Sequence, residues 1–175
     1  MRIITHKTIE IMVPLFKSLI RPVLEYGNAV WCPYKRYLID MIENIQRHFT
    51  KRIIGMKSLD YNVRLYNLKL PSLEYRRLRG DLIEVYKMTH NLYDPLTTSS
   101  LLTLNVSTTR SNKFKLKKPR VNSKPFQSFF SNRIINIWNG LPQGVVNAGS
   151  INLFKNLVDS HFKEIIYCTN INFYN

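Results

Sequence analysis

The chain has 175 residues, enough for one ordinary domain or two small helical lobes. Its hydrophobic fraction of 45% can fill a real core, and 26 Lys and Arg against 11 Asp and Glu give a formal charge of +15. Such a balance says nothing about fold, but it points to a polyanionic partner, either nucleic acid or an anionic membrane surface. No apolar run approaches the roughly 20 residues that a bilayer crossing needs. The segment MRIITHKTIEIMVPLFKSL is too polar for a clean signal peptide. Cys32 and Cys168 stand far apart in no pattern, which argues against a disulfide framework and for a reducing compartment, cytoplasmic or nuclear.

Taken in chain order, the first helical stripe covers residues 8–31. Ile9, Met12, Val13, Phe16, Leu19 and Ile20 recur at three- and four-residue spacing, with Thr8 placed to cap the start. Pro14 predicts a kink, and Pro22 predicts the start of a second segment from Val23 to Trp31. Residues 35–55 form the clearest helix. Leu38, Met41, Ile42, Ile45, Phe49 and Ile53 share its apolar face, with Arg36, Asp40, Glu43, Arg47 and Lys51 opposite. Gly55 is a stop signal. Asp60 can cap a short helix through Leu65 and Leu68. Pro71 then opens a long helix to about Asn91, burying Tyr75, Leu78, Leu82, Val85 and Tyr86 and turning Arg76, Arg77, Gly80, Glu84 and Lys87 outward. A glycine inside a helix forfeits about 1 kcal/mol against alanine, so Gly80 hints at a close backbone approach.

From Asp94 the composition shifts, and no acid recurs until Asp159. Residues 95–112 read as a polar linker. A basic run follows: Lys113, Lys115, Lys117, Lys118, Arg120 and Lys124. Pro119 and Pro125 oppose a regular helix there, while the alternation of Phe114 and Leu116 with lysines allows a short strand or an extended arm. Residues 126–140 return to helix, with Phe126, Phe129, Phe130, Ile134, Ile137 and Trp138. Ser150 caps a last helix that carries Ile151, Phe154, Leu157, Val158 and Phe162, and a frayed tail is expected from Tyr167.

Chemistry is poorly represented. Nucleotidyl transfer needs carboxylates converging on divalent metals about 4 Å apart, whereas Asp40, Asp60, Asp81 and Asp159 are scattered and read as caps or solvated positions. His6, Cys32, His48, His90, His161 and Cys168 make no zinc-type pairing, and Gly140, Gly144 and Gly149 match no phosphate-loop spacing. No catalytic, metal or cofactor site is therefore expected. The basic features remain. The cations of residues 113–124 could contact phosphates while Phe114 and Phe126 stack on bases, or the segment could be a solubilising loop. Arg47 and Lys51, and Arg76 and Arg77, are further candidate phosphate contacts. The bland alternative for Arg76, Arg77 and Arg79 is pairing with nearby acids such as Asp81 and Glu84.

Three stretches taken together resemble a known family. They are LFKSLIRPVLEYGNAVWCPY (residues 15–34), LKLPSLEYRRLRGDLIEVYKM (68–88) and FFSNRIINIWNGLPQGVVNAGSINLFK (129–155). In this order they resemble the thumb and post-thumb region of reverse transcriptases from non-LTR retrotransposons, jockey-like or related clades. The likeness spans residues 10 to 162. It implies that the palm with its Tyr-x-Asp-Asp metal site, absent here, would precede this region, so that the chain would be a truncated copy or a terminal fragment. It also implies RNA or DNA as partner, and the missing palm as a possible protein partner.

The resulting expectation is an all-α fold. Residues 1–94 would form a helical thumb-like region, residues 95–125 a polar then basic linker, and residues 126–175 a smaller helical segment. The expected function is that of a non-catalytic, nucleic-acid-binding fragment without membrane attachment. The rival is a product without selected function, or a protein-binding scaffold fragment whose former palm-packing face is exposed.

Overall fold

In the computed structural model the described residues are 6–105, 113–171 and 173–174. Residues 106–112 of the expected linker, the first five residues of the chain, and two positions of the expected frayed tail lie outside them. The described chain is helical, with no strand among the described residues beyond one antiparallel bridge between Leu104 and Leu116. It divides into two compact units. The first takes in Met1–Gly27, Lys35–Arg77 and Glu164–Ile171; the second takes in Asn28–Tyr34, Leu78–Lys163 and Asn172–Asn175. The division falls within a continuous helix, not near residue 94, and the expected linker belongs to the second unit.

The first unit opens with α1 (Ile9–Leu15) and α2 (Arg21–Glu25). Between them a wider π-turn over Phe16–Ile20 follows Pro14, which has no N–H to offer the helix. The expected interruption is thus a π-turn, and α2 ends at Glu25 instead of reaching Trp31. Helix α3 (Arg36–Lys51) and helix α4 (Tyr61–Leu68) follow, and the Asp60 carboxylate accepts the Asn62 N–H at the start of α4 as expected. Met12, Val13, Phe16, Ile53, Tyr61, Leu65 and Leu68 form this unit's core.

The orientation of α3 corrects the sequence reading. Its buried residues are Glu43, Gln46 and Thr50, whereas Met41 is 62% and Ile45 43% exposed. Hydrogen bonds drive this choice. Glu43 accepts from the Tyr61 hydroxyl at 2.6 Å and from the Leu73 and Glu74 amides at 3.0 and 3.3 Å. It thereby satisfies open N–H groups at the start of α5 (Leu73–Thr89). Gln46 donates to the Pro71 carbonyl at 3.0 Å. Burial pushes the Glu43 carboxyl up, against the lowering effect of these donors.

Helix α5 gives its residues through Arg77 to the first unit and those from Leu78 to the second. Tyr75, Leu78, Leu82, Val85 and Tyr86 are buried, as the helical spacing predicts. In the second unit α6 (Pro95–Leu101) occupies part of the expected linker. The predicted helix over residues 126–140 is broken into α7 (Lys124–Gln127), α8 (Phe130–Arg133) and α9 (Ile135–Gly140). Helices α10 (Gln143–Val146) and α11 (Ile151–His161) complete the unit, and Ser150 Oγ caps α11 by accepting the Leu153 N–H. Leu82, Val85, Ile134, Trp138, Val146, Phe154 and Val158 lie in its core. The described part of the tail is packed, not frayed: Tyr167 meets Tyr66 edge-on in the first unit, and Phe173 and Tyr174 pack on the second unit's core.

Candidate nucleic-acid interface

The start of the basic run is anchored within the second unit at Phe114 and Leu116. Leu116 is buried, and Asn139 grips its backbone from both sides. The Asn139 carbonyl accepts the Leu116 N–H at 2.9 Å, and its amide donates to the Leu116 carbonyl at 2.9 Å. One side chain thus replaces a strand partner. Trp138 Nε1 donates to the Phe114 carbonyl at 2.8 Å. On the other side, Asn105 N–H donates to the Lys115 carbonyl and Lys117 N–H to the Thr103 carbonyl. With Leu116 turned inward, Lys115 and Lys117 alternate outward, about 6.6 Å apart in an extended chain. Lys113, Lys115, Lys117, Lys118, Arg120 and Lys124 are all exposed, and none enters an ion pair among the described residues.

Phe114 is not presented to solvent as a stacking ring. It stacks on His90 at 4.2 Å, His90 on Tyr86 at 3.9 Å, and Tyr86 on Phe154 at 4.4 Å. Burial, with Lys113 nearby, holds the His90 imidazole below its ordinary range despite its hydrogen bond to the Tyr86 carbonyl. Phe126 and Phe129, by contrast, are 50% and 59% exposed and touch each other with centroids 5.6 Å apart.

The remaining candidate cations divide. Lys51 is exposed and Arg47 half-buried, its guanidinium 4.8 Å above the Tyr61 ring and donating to the Asn44 side-chain carbonyl. Arg64, which the sequence reading did not single out, lies 5.4 Å from the same ring and donates to the Arg47 carbonyl. Arg76 and Arg77 do not face out freely. Arg76 makes a two-pronged ion pair with Glu25 at 2.7 Å, and Arg77 is 5% exposed and donates to the Leu24 carbonyl. Both reach the chain before α3, at Glu25 and the Leu24 carbonyl.

The acids are committed as well, mostly to partners distant in sequence. Asp40 and Glu74 accept from Arg36, and Asp159 accepts from Arg79 at 2.6 Å. Asp81, expected at a cap or a solvated face, is wholly buried. It accepts from Arg133 Nε at 2.8 Å and Nη2 at 2.9 Å, from Asn28 at 2.8 Å and from the Tyr174 hydroxyl at 2.9 Å. Arg133 in turn donates to the Asn28 and Ser128 carbonyls. Burial pulls the Arg133 guanidinium down, but the hydrogen bonds and charge of Asp81 more than offset it. Gly80 shows no close backbone approach: a Cβ there would meet only the Asn28 side-chain amide nitrogen, at 3.4 Å, an ordinary van der Waals distance. No group of three His, Cys, Asp or Glu side chains able to hold a metal occurs among the described residues, and none of their helices is long and apolar enough to cross a membrane. No protein-family model, curated protein or solved structure matches the chain.

Proposed function

We propose that this chain is a non-catalytic segment of a non-LTR retrotransposon reverse transcriptase that holds nucleic acid through its phosphates. The observation that carries the reading is the row of exposed, acid-free cations over residues 113–124, anchored through Leu116 by Asn139. Anchoring lowers the ordering entropy that a loose basic loop would lose on binding. Contacts of this kind position a backbone and carry little base information. The polymerase resemblance gains support from a convergence. Asn28, Asp81 and Arg133 come one from each of the three resembling stretches, and they meet in one buried network.

The test is a salt titration of RNA and DNA affinity for the intact chain and for Lys115→Ala/Lys117→Ala/Lys118→Ala. Each phosphate contact contributes about 0.7–0.9 to the slope of log affinity against log salt, so the triple variant should bind more weakly with a shallower slope. Helix content should hold, because all three side chains are exposed and lie outside the helices. Unchanged affinity and slope would refute the arm as the binding element and transfer the role to Arg47 and Lys51.

A second reading, a protein-binding fragment, is favoured by α3. Its Met41 and Ile45, one turn apart, are exposed apolar side chains on a single helix face. Nucleic-acid affinity absent at low salt, together with concentration-dependent self-association in sedimentation, would favour this reading over the first.

A further inference from the structure

We infer that Phe126 and Phe129 form a stacking platform for the bases of single-stranded nucleic acid, an inference that rests on the phosphate-binding reading above. Single exposed apolar side chains are ordinary on protein surfaces. Here two phenyl rings touch at 5.6 Å, tilted by 51°, and both stay half in solvent. The turn that carries them is fixed from below. Asn132 Nδ2 donates to the Phe126 carbonyl at 2.7 Å, and Arg133 Nη1 donates to the Ser128 carbonyl at 3.0 Å. The Asn132 and Arg133 amides both donate to the Phe129 carbonyl at 2.9 Å. Arg133 is itself locked by buried Asp81. The rings are therefore presented by a rigid turn and need little ordering when a flat ligand arrives.

Charge identifies that ligand. Lys124 opens the same short helix as Phe126, and Gln127 Nε2 donates to the Val121 carbonyl at 3.2 Å, tying the residue after Arg120 to that helix. No acid lies between Asp94 and Asp159 to neutralise these cations. Flat apolar rings flanked by unneutralised cations match a polymer that alternates bases with phosphates. Bases inside a duplex are stacked on each other and closed to such rings, whereas a single strand offers its faces. An anionic membrane fits less well. Helix α7 has 4 residues, too few to lay an amphipathic helical face in a lipid interface.

The experiment uses the full chain, Phe126→Ala/Phe129→Ala and Phe126→Trp/Phe129→Trp. Fluorescence anisotropy would follow binding to a short oligothymidylate, to an abasic strand of equal length, to a duplex, and to phosphatidylserine vesicles. Alanine substitution should weaken oligothymidylate binding by about tenfold per ring, within the range for base–aromatic stacking. Duplex affinity, abasic-strand affinity and the salt slope should stay unchanged, and the Trp variant should restore single-strand binding. Single-strand affinity of the Ala variant within twofold of the parent overturns the platform and leaves phosphate binding standing, as does an equal loss on duplex. Loss confined to vesicles overturns it in favour of a lipid surface. No binding of the parent to any strand at low salt overturns the phosphate-binding reading itself. The rings are exposed, so circular dichroism should show all three proteins equally folded.

Discussion

Replacing Asp81 by alanine removes the acceptor at which Arg133, Asn28 and Tyr174 converge. The Arg133 side chain is 2% exposed, so the guanidinium cannot recover water in place of its lost partner. Breaking a buried pair from one side destabilises by about 3–5 kcal/mol. Set against a typical domain stability of about 5–15 kcal/mol, that is at least about a fifth of the total. The charged pair is not itself a stabilising device of that size. A double replacement, Asp81→Leu with Arg133→Met, removes both ions and should recover most of the loss. It should fall short by roughly 1–2 kcal/mol, because the Asn28 and Tyr174 donors lose their acceptor. Urea denaturation followed by Trp fluorescence is the assay, since Trp138 is buried in the same core as Leu82 and Ile134 and reports on the second unit. A cost below about 1 kcal/mol for Asp81→Ala would refute the reasoning. So would a double variant as unstable as the two single variants added together, because coupling is what the network predicts.

Two further outcomes follow from named contacts. Asn139→Ala removes both hydrogen bonds that hold Leu116 and should destabilise the second unit by about 2 kcal/mol. Amide exchange at Leu116 should accelerate and nucleic-acid affinity should fall although no charge has changed; protection of Leu116 equal to the parent's would count against the clamp. Met41→Lys and Ile45→Lys should each alter thermal stability by no more than about 0.5 kcal/mol, as surface positions do. Losses of the size seen for core truncations would mean that α3 buries its apolar stripe after all.

How far these features were legible varies with the range of the interaction behind them. Local signals transferred well. Asp60 and Ser150 cap their helices, and Tyr75, Leu78, Leu82, Val85 and Tyr86 form the inner face of α5. Each depends on residues within a turn or two of each other. Helix α3 was legible as a helix but not in orientation. Periodicity locates an apolar stripe without saying whether a hydrogen-bonding demand elsewhere outranks it, and the open amides of Leu73 and Glu74 draw Glu43 inward from 30 residues away. Arg76 and Arg77 read as surface cations because their partners, Glu25 and the Leu24 carbonyl, are 51 and 53 positions distant. The basic arm was visible as composition. Its anchor was not, since an asparagine imitating a strand edge has no sequence period.

The buried polar network joins these observations into one argument about how the chain works. Asp81 accepts the Asn28 side-chain amide as well as Arg133. Arg133, held by Asp81, fixes the turn that raises Phe126 and Phe129. Further along, Trp138 and Asn139 pin the basic arm by its backbone. The cations and the rings therefore stand on supports belonging to the same stretch of chain, residues 128–139, and that stretch carries the buried Arg133–Asp81 ion pair. A solubilising loop would need no such support: charge alone keeps a loop in water, whether or not its backbone is fixed. Fixing the backbone while leaving these cations exposed and, among the described residues, out of ion pairs lowers the entropy lost on binding a ligand and does little for solubility. That asymmetry, with supports hydrogen-bonded and charges exposed, is the physical reason to look for an anionic polymer on this face.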